Sequence, residues 1–359
     1  MKTIDVNLAN RSYPILLASG SIGQIGDFLR ERFAPDAPGI VITDGNVARI
    51  YAESVEMTIA DAGFKVLIYT IEPGEASKRL QTVSSIYDFL VKHKTPRGGI
   101  IIGLGGGVVG DVASFVASTY KRGVPYVAVP TSLLAHVDSS VGGKTGIHHG
   151  GEKNVIGTFY QPHLVDIDID TLRTLPTREL LAGMAEVVKC AAALDEKYFS
   201  FLERNYQKVL RLHEAPLLHT VSRCCELKAE VVAQDEFDKG VRHVLNYGHT
   251  IAHALEASTG FRVFLHGEAV SIGVVAAAKL SRALGRCSDE DVQRQERLLR
   301  AIGLPTRLDK AMIPNLIDHL YADKKRIGNK IHFVVCTGIG STELWPVAPE
   351  ELMKHLSAL

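Results

Sequence analysis

Short apolar runs alternate with amphipathic stretches through the first half of the chain. The runs GIVITDG (Gly39–Gly45), KVLIYTI (Lys65–Ile71), GIIIGLGGG (Gly99–Gly107) and YVAVPTS (Tyr126–Ser132) are rich in β-branched residues, and each stops at Gly, Pro or Asp. Such runs predict strands. Between them, NVARIYAESVEMTIADAG and ASKRLQTVSSIYDFLVKHK space their apolar residues at helical period. Strand and helix in alternation predict a parallel sheet with helices on its faces, because parallel strands need long crossovers and those crossovers cover the sheet. HLVDIDI (His163–Ile169) predicts one more strand.

After TLRTLPTREL the pattern changes. From about Arg178 the periodicity is helical, through ELLAGMAEVVKCAAAL, EKYFSFLERNYQKVLRL, HTVSRCCELKAEVVAQD, NYGHTIAHALEASTGFRVFLHGEAVSIG and DEDVQRQERLLRAIGL. Strand character returns only at KIHFVVCTGIG (Lys330–Gly340), a short hairpin strand. A chain of 359 residues exceeds one ordinary core. The expectation is therefore a Rossmann-like α/β domain over residues 1–175 and a helical domain over 176–359. No low-complexity linker or repeat separates them, which predicts close packing and a site in the cleft between them.

Composition narrows the class of function. Forty basic residues balance forty acidic ones, so net charge gives no ground for nucleic acid or an anionic membrane as partner. No apolar run approaches the ~20 residues of a membrane span, and Asp5 and Arg11 interrupt any leader-like run at the start. The five cysteines (Cys190, Cys224, Cys225, Cys287 and Cys336) form no CxxC pair and are odd in number. That fits reduced thiols in a cytoplasm.

Three segments carry candidate chemistry. Gly105-x-Gly107-x-x-Gly110 follows a predicted strand and opens a helix, where glycines let the backbone approach a pyrophosphate and free N–H groups meet it. The loop follows the third apolar run rather than the first, and no acid follows the next strand. Asp44 and Asn46 instead end the first, and EPGEASK (Glu72–Lys78) ends the second. These ends converge on the carboxyl edge of a parallel sheet, where ligands bind. PTSLLAHVDSSVGGKTGIHHGGEKNVIGTF sets Asp138, Lys144, Lys153 and Asn154 among six glycines, as either a solvated surface loop or a binder of phosphate or carboxylate. His249 and His253 stand four apart on one helical face, and His266 opens another helical run. A metal site with a third ligand such as Glu186 fits this spacing, and so does a pair of capped helices with hydrogen-bonded histidines. The HExxH acid is missing, which argues against a metalloprotease.

Together, GGGVVGD, ASTYKRG, PTSLLAHVDSSVGGKTG, EKNVIG, GMAEVVK, KAEVV, LNYGHTIAHALE, HGEAVSIG and the DKK at Asp323–Lys325 resemble the 3-dehydroquinate synthase family in order and spacing, from about Asp44 to Lys330. The resemblance implies an NAD-requiring, zinc- or cobalt-dependent homodimer of the shikimate pathway acting on a phosphorylated sugar acid. The reaction implied is transient oxidation, phosphate elimination, re-reduction and aldol cyclisation. Its metal ligands would be Glu186, His249 and His266, with His253 a hydrogen-bonding residue on the substrate side. NAD would meet Asp44, Asn46, Glu75 and Lys78, then Gly106, Gly107, Val108, Val109, Gly110 and Asp111 at the pyrophosphate turn. Thr131, Ser132, Lys144, Lys153, Thr171, Leu172, Arg173 and Thr174 would complete that surface. Substrate phosphate and carboxylate would meet Arg122, Lys144, Lys153, Asn154, Lys189, Lys228, Arg242 and Lys324. Asp138 would accept from the nicotinamide or a nearby donor.

Three positions depart from the usual family wording: His136 for glutamine, His148 for asparagine and Tyr247 for phenylalanine. The nearest rival is another sugar phosphate cyclase, such as a 2-deoxy-scyllo-inosose synthase. Lys189, Lys228 and Arg242 keep the cationic set suited to a carboxylate-bearing substrate. An iron-type alcohol dehydrogenase would lack the long DSSVGGKTG…EKN loop.

Overall fold

The structure is a computed structural model that describes residues 1–260, 262–307, 326–327 and 330–348. Its backbone divides into two compact units, Met1–Leu175 with Lys228–Ala233, and Pro176–Leu227 with Gln234–Leu359.

In the first unit the strands are β1 (Lys2–Val6), β2 (Tyr13–Ala18), β3 (Gly39–Asp44), β4 (Val66–Ile71), β5 (Ile100–Gly105), β6 (Tyr126–Pro130), β7 (Ile147–His149), β8 (Glu152–Ile156) and β9 (Leu164–Asp168). Seven of them form one sheet in the order β1-β2-β9-β6-β5-β3-β4. All pairs are parallel except β1 with β2. The five strands expected from the apolar runs are present. The β1–β2 hairpin extends the sheet beyond them. Every residue of β5, β6 and β9 is buried, as strands covered on both faces by helices are, and in β9 this includes the acids Asp166 and Asp168. On one face Val41, Ile100, Ile102, Leu104, Val127 and Val129 join Ile25, Phe28, Leu29, Val55 and Ile59 of the Ile25–Arg30 and Glu53–Asp61 helices in one core cluster.

The second ribbon, β7 with β8, is antiparallel and turns on Gly150 and Gly151, both with positive φ (60° and 83°). Two consecutive left-handed residues are what a two-residue hairpin turn of matching twist demands, and glycine supplies them without a Cβ clash. The lysine-rich segment is therefore partly a hairpin and not all loop.

In the second unit the helices Thr177–Leu194, Glu196–Leu210, His249–Ser258, His266–Ala283 and Asp289–Ile302 enclose an Ala-rich interior, and Ala182 to Ala193 are all buried. The Glu214–Gln234 helix begins in this unit, and its Lys228–Ala233 segment groups with the first. The unit is not purely helical. The strand expected at Lys330–Gly340 is the middle of a three-stranded antiparallel sheet of β10 (Arg326–Ile327), β11 (Lys330–Gly338) and β12 (Ser341–Val347). No helix among the described residues is long and apolar enough to cross a membrane.

Candidate functional site

In the second unit three side chains converge that lie far apart in sequence. Glu186 comes from the middle of the Thr177–Leu194 helix, His249 from the first turn of the His249–Ser258 helix and His266 from the first turn of the His266–Ala283 helix. Two glycines make the approach possible. A Cβ on Gly267 would stand 1.9 Å from the Ala182 carbonyl oxygen, so only glycine lets this helix start so close to the one carrying Glu186. Gly248 caps the His249 helix with φ of 79°, and a Cβ there would stand 2.7 Å from the Val274 backbone nitrogen. Glu268 fixes the start of the His266 helix by accepting from Leu265 N–H (2.9 Å) and by a bidentate pair with Arg178 (2.7 and 2.8 Å).

The result is a compact donor set. Glu186 Oε1 lies 3.5 Å from His249 Nε2 and 3.2 Å from His266 Nε2, and one ligand atom from each residue falls within 4.8 Å of the others. A four-coordinate ion with ligands at about 2.0–2.1 Å spaces them about 3.3 Å apart, which these distances match. Both histidines present Nε2 because Nδ1 is engaged elsewhere: His249 with the Tyr247 carbonyl (3.4 Å) and His266 with Glu256 Oε1 (3.3 Å). Such outer partners fix tautomer and ring orientation. Glu186 is 1% exposed, and Lys189 Nζ lies 2.6 Å from Oε2. No hydrogen bond of good geometry closes on either Glu186 oxygen among the described residues, although cationic groups surround them. A buried carboxylate in that state suits an ion. The residues present thus fit a metal of the zinc type.

Electrostatics agree. Burial alone would raise the Glu186 carboxyl, but Lys189, His249 and His266 outweigh it and hold it well below the usual carboxylate range. Burial and the Lys189 charge push His249 well below its ordinary value despite Glu186. Burial also opposes the charged form of His266, yet Glu186 and Glu256 lift it to about 10. His253 is exposed, with its ring 5.2 Å from that of His249 and 6.0 Å from that of His266, beside the triad and outside it. His253, Glu256 and His266 also satisfy ligand spacing, so Glu256 is a site residue that the sequence reading missed. Buried Arg242 donates to the Glu236 carbonyl (2.6 Å). Lys324 lies outside the described residues.

In the first unit the candidate residues gather along the carboxyl edge of the sheet. Gly106 and Gly107 open the Gly107–Thr119 helix directly after β5, with Val108, Val109 and Gly110 in its first turn. Gly106 and Gly107 lie against the side chains of Ser132 and Ser139. Asp44 already accepts from Asn46 N–H (2.8 Å) and Val47 N–H (3.2 Å), capping the turn after β3. Thr131 N–H donates to the Gly105 carbonyl (3.0 Å). Thr171 Oγ1 donates to Asp168 O (2.7 Å), Thr174 Oγ1 meets Tyr51 Oη at 2.6 Å, Leu172 is buried, and exposed Arg173 pairs with Asp170 (2.7 Å). Tyr51 carries no local signal in sequence.

Lys78, Glu75 and Asp111 form a charged network with Lys153 and His148. Lys78 Nζ is 2.6 Å from Asp111 Oδ2 and 3.6 Å from Glu75 Oε1. Burial penalises Lys78, but the two acids raise it above its ordinary value. Burial also lifts Asp111 against the pull of Lys78, and the short contact fits the ionised pair. Burial would raise Glu75 as well, yet His148, Lys78 and Lys153 bring it down to about 2. Lys228 Nζ donates to the Asp138 carbonyl oxygen (2.6 Å) and pairs with its carboxylate, so these two candidates occur together. Arg122 is exposed on a turn where Lys121, Arg122 and Gly123 all have positive φ (48°, 69° and 115°). Left-handed backbone at two consecutive non-glycine residues is strained. Lys144 and Asn154 are exposed, and Asn154 too has positive φ (52°).

Known proteins resemble the chain along its length. Residues 68–182 match the model of 3-dehydroquinate synthase N-terminal regions, and residues 183–326 that of 3-dehydroquinate synthase C-terminal regions. A 3-dehydroquinate synthase of Desulforamulus reducens is 46% identical over 346 residues, 96% of each chain. Among solved structures, a 2-deoxy-scyllo-inosose synthase complexed with carbaglucose-6-phosphate, NAD+ and Co2+ is 25% identical with a TM-score of 0.89, covering 99% of this chain and 100% of that one. A 2-epi-5-epi-valiolone synthase of Streptomyces hygroscopicus subsp. jinggangensis, with NAD+ and Zn2+ bound, is also 25% identical, with a TM-score of 0.88 and 98% of each chain covered.

Proposed function

The chain belongs to the 3-dehydroquinate synthase family, and from that premise we propose that it converts 3-deoxy-D-arabino-heptulosonate 7-phosphate into 3-dehydroquinate and phosphate. The observation that carries this reading at the level of chemistry is the Glu186–His249–His266 triad, with Glu186 and His249 buried, His266 half-buried and Lys189 against Glu186. Its cofactors are NAD and a divalent metal of the Zn2+ or Co2+ type, the pair present in the two cyclase structures. Bound together, they supply a reversible hydride acceptor and Lewis acidity at the substrate hydroxyls.

The roles of the chain's own residues follow from their chemistry. Glu186, His249 and His266 hold the ion, with both imidazoles oriented by the bonds their Nδ1 atoms make. Exposed His253 serves a substrate hydroxyl as hydrogen-bond partner and proton relay. Lys144, Lys153, Asn154, Lys189, Lys228, Arg242, Arg122 and Lys324 supply the cations and amide that bind phosphate and carboxylate, and so hold the sugar acid in one reactive pose. Asp138 keeps Lys228 in place. The Gly106–Asp111 turn offers backbone N–H groups to the NAD pyrophosphate at a helix start. Tyr51 braces Thr171 and Thr174, which belong to the same proposed surface. The reaction makes the protein a phosphate-eliminating carbon–oxygen lyase, and the family resemblance supports a homodimer.

The test is phosphate release from 3-deoxy-D-arabino-heptulosonate 7-phosphate with NAD far below substrate, with and without a chelator, and identification of the product by mass. Many turnovers per NAD, lost on chelation and restored by Zn2+ or Co2+, is the expected result. Metal-loaded, folded protein that releases no phosphate from this substrate but does so from another phosphorylated sugar would move the assignment to a sister cyclase. Accumulating NADH would overturn the cyclase reading.

A further inference from the structure

His148 belongs to no ligand or substrate set described above, yet its bonds join two of them. It stands on β7 where the pairing with β8 loses register: Ile147 faces Ile156 and His149 faces Glu152, so one residue, His148, opposes Lys153, Asn154 and Val155. A bulge of this kind re-aims side chains next to a site. Asn154 within it has a left-handed backbone, φ of 52°, a conformation that asparagine tolerates better than most residues with a side chain. The Asn154 N–H donates to His148 Nδ1 at 3.1 Å. On the other side of the ring, Nε2 lies 3.0 Å from Glu75 Oε1, and the His148 backbone N–H donates to the Lys78 carbonyl at 2.7 Å. Lys153 Nζ comes within 3.8 Å of the same Glu75 oxygen.

These contacts determine the tautomer. An Nδ1 that accepts from an amide carries no proton, so the proton of the neutral ring is on Nε2 and is donated to the Glu75 carboxylate. We propose that His148 is a positioning residue that locks the Lys153–Asn154 bulge onto the Glu75–Lys78 loop, holding the anion-binding and NAD-binding groups of the first unit in one arrangement. The proposal rests on the roles given above to Lys153, Asn154, Glu75 and Lys78. It assigns to each face of the imidazole a different duty: Nδ1 shapes the bulge, Nε2 holds Glu75.

Two near-isosteric substitutions separate the duties. In His148→Asn the amide oxygen takes the place of Nδ1 and can still accept from Asn154 N–H, but the side chain is too short to reach Glu75. In His148→Gln the terminal amide takes the place of Nε2 and reaches Glu75, and nothing is left where Nδ1 stood. The measurements are KM for NAD, KM for the sugar phosphate and kcat in the metal-loaded enzyme, with NADH binding by fluorescence as a readout independent of turnover. His148→Asn is expected to raise KM for NAD and the NADH dissociation constant about fivefold, with KM for the sugar phosphate within twofold of the parent. His148→Gln is expected to do the reverse, raising KM for the sugar phosphate and lowering kcat by about the same factor. Imidazole 15N shifts of the parent should report protonation at Nε2. Overturning results are a protonated Nδ1 in the neutral ring, parent-like constants in both variants, or the same uniform change in both. Absence of turnover by the parent would refute the proposed function instead, and the tautomer and NADH binding would still decide the role of His148.

Discussion

Gly267→Ala is the sharpest single test of how the triad is assembled. The added Cβ would stand 1.9 Å from the Ala182 carbonyl oxygen, 2.5 Å from the carbonyl carbon and 2.7 Å from Cα, all backbone atoms that no rotamer change can move. Ordinary contact begins near 3.4 Å. The His266 helix must therefore retreat by roughly 1.5 Å, and close-packed interiors yield to that only at a cost of about 1–3 kcal/mol. Ala182 lies one turn before Glu186 on the same helix, so the retreat carries His266 Nε2 away from Glu186 Oε1, now 3.2 Å distant. With ligand bonds of about 2 Å, a further ångström and a half takes the pair beyond what one tetrahedral ion bridges.

The expected outcome is a drop of several degrees in the melting temperature of the metal-free protein and a Zn2+ affinity reduced by at least about tenfold, the low end of the loss when a ligand's support is removed. Affinity would be read by competition with a chromophoric chelator and stability by circular dichroism. Gly285→Ala is the control. Gly285 follows the far end of the same helix with φ of 69° and nothing within 4 Å of an added Cβ, so its substitution strains the backbone without moving His266. If Gly267→Ala binds Zn2+ within twofold of the parent while Gly285→Ala behaves the same, the close helix approach does not build the site and the reasoning fails.

Other perturbations probe neighbouring groups. Glu256→Gln should keep the fold but weaken Zn2+ binding about 10–100-fold, since Glu256 Oε1 orients His266 through Nδ1, and unchanged affinity would remove Glu256 from the site. Zn2+ at 100 times its dissociation constant should stabilise the parent by about 2.7 kcal/mol and Glu186→Ala by far less, and equal gains in a thermal melt would place the ion elsewhere. Burial lifts the Asp166 carboxyl to about 7, with Ser21 opposing and Asp168 adding to the rise, so the folded chain keeps a proton that the unfolded chain releases near 3.8. That stability is complete below about pH 4 and is lost as pH climbs through 7. Asp166→Asn should therefore gain up to about 4 kcal/mol on the parent between pH 4 and pH 8, and a gain in urea midpoint that does not change with pH would contradict it.

How much of this was legible in sequence depended on whether the signal was local. β3, β5 and β6 were readable because each is an apolar run ended by Gly, Pro or Asp and buried almost throughout. The edge strand β4 shares that composition but is only half-buried, and β9 was readable despite Asp166 and Asp168 within LVDID. β2 escaped because Pro14 reads as a strand breaker. It is tolerated where β2 has only β1 beside it, since pairing with β9 begins at Ile15. The β7–β8 hairpin did carry its turn signal, Gly150–Gly151, but flanking segments as polar as IHH and EKNVI offer no apolar alternation to mark strands.

The site divides in the same way. Spacing alone could pair His249 with His253, because four residues is one helical turn, and that pairing misleads: His253 stands beside the triad while His266 and Glu186 complete it. Glu186 is 63 positions before His249, and what joins them is the crossing of helices that Gly267 and Gly248 permit, a tertiary event with no local period. The family resemblance named the triad because a long ordered set of motifs encodes that crossing implicitly. It did not name Glu256, whose one local mark is a carboxylate two helical turns after His249 on the buried face of its helix, where an acid is costly unless a cation or donor meets it. Nor did it assign a duty to His148, because a departure from a family's wording can be interpreted only once the atoms it contacts are known.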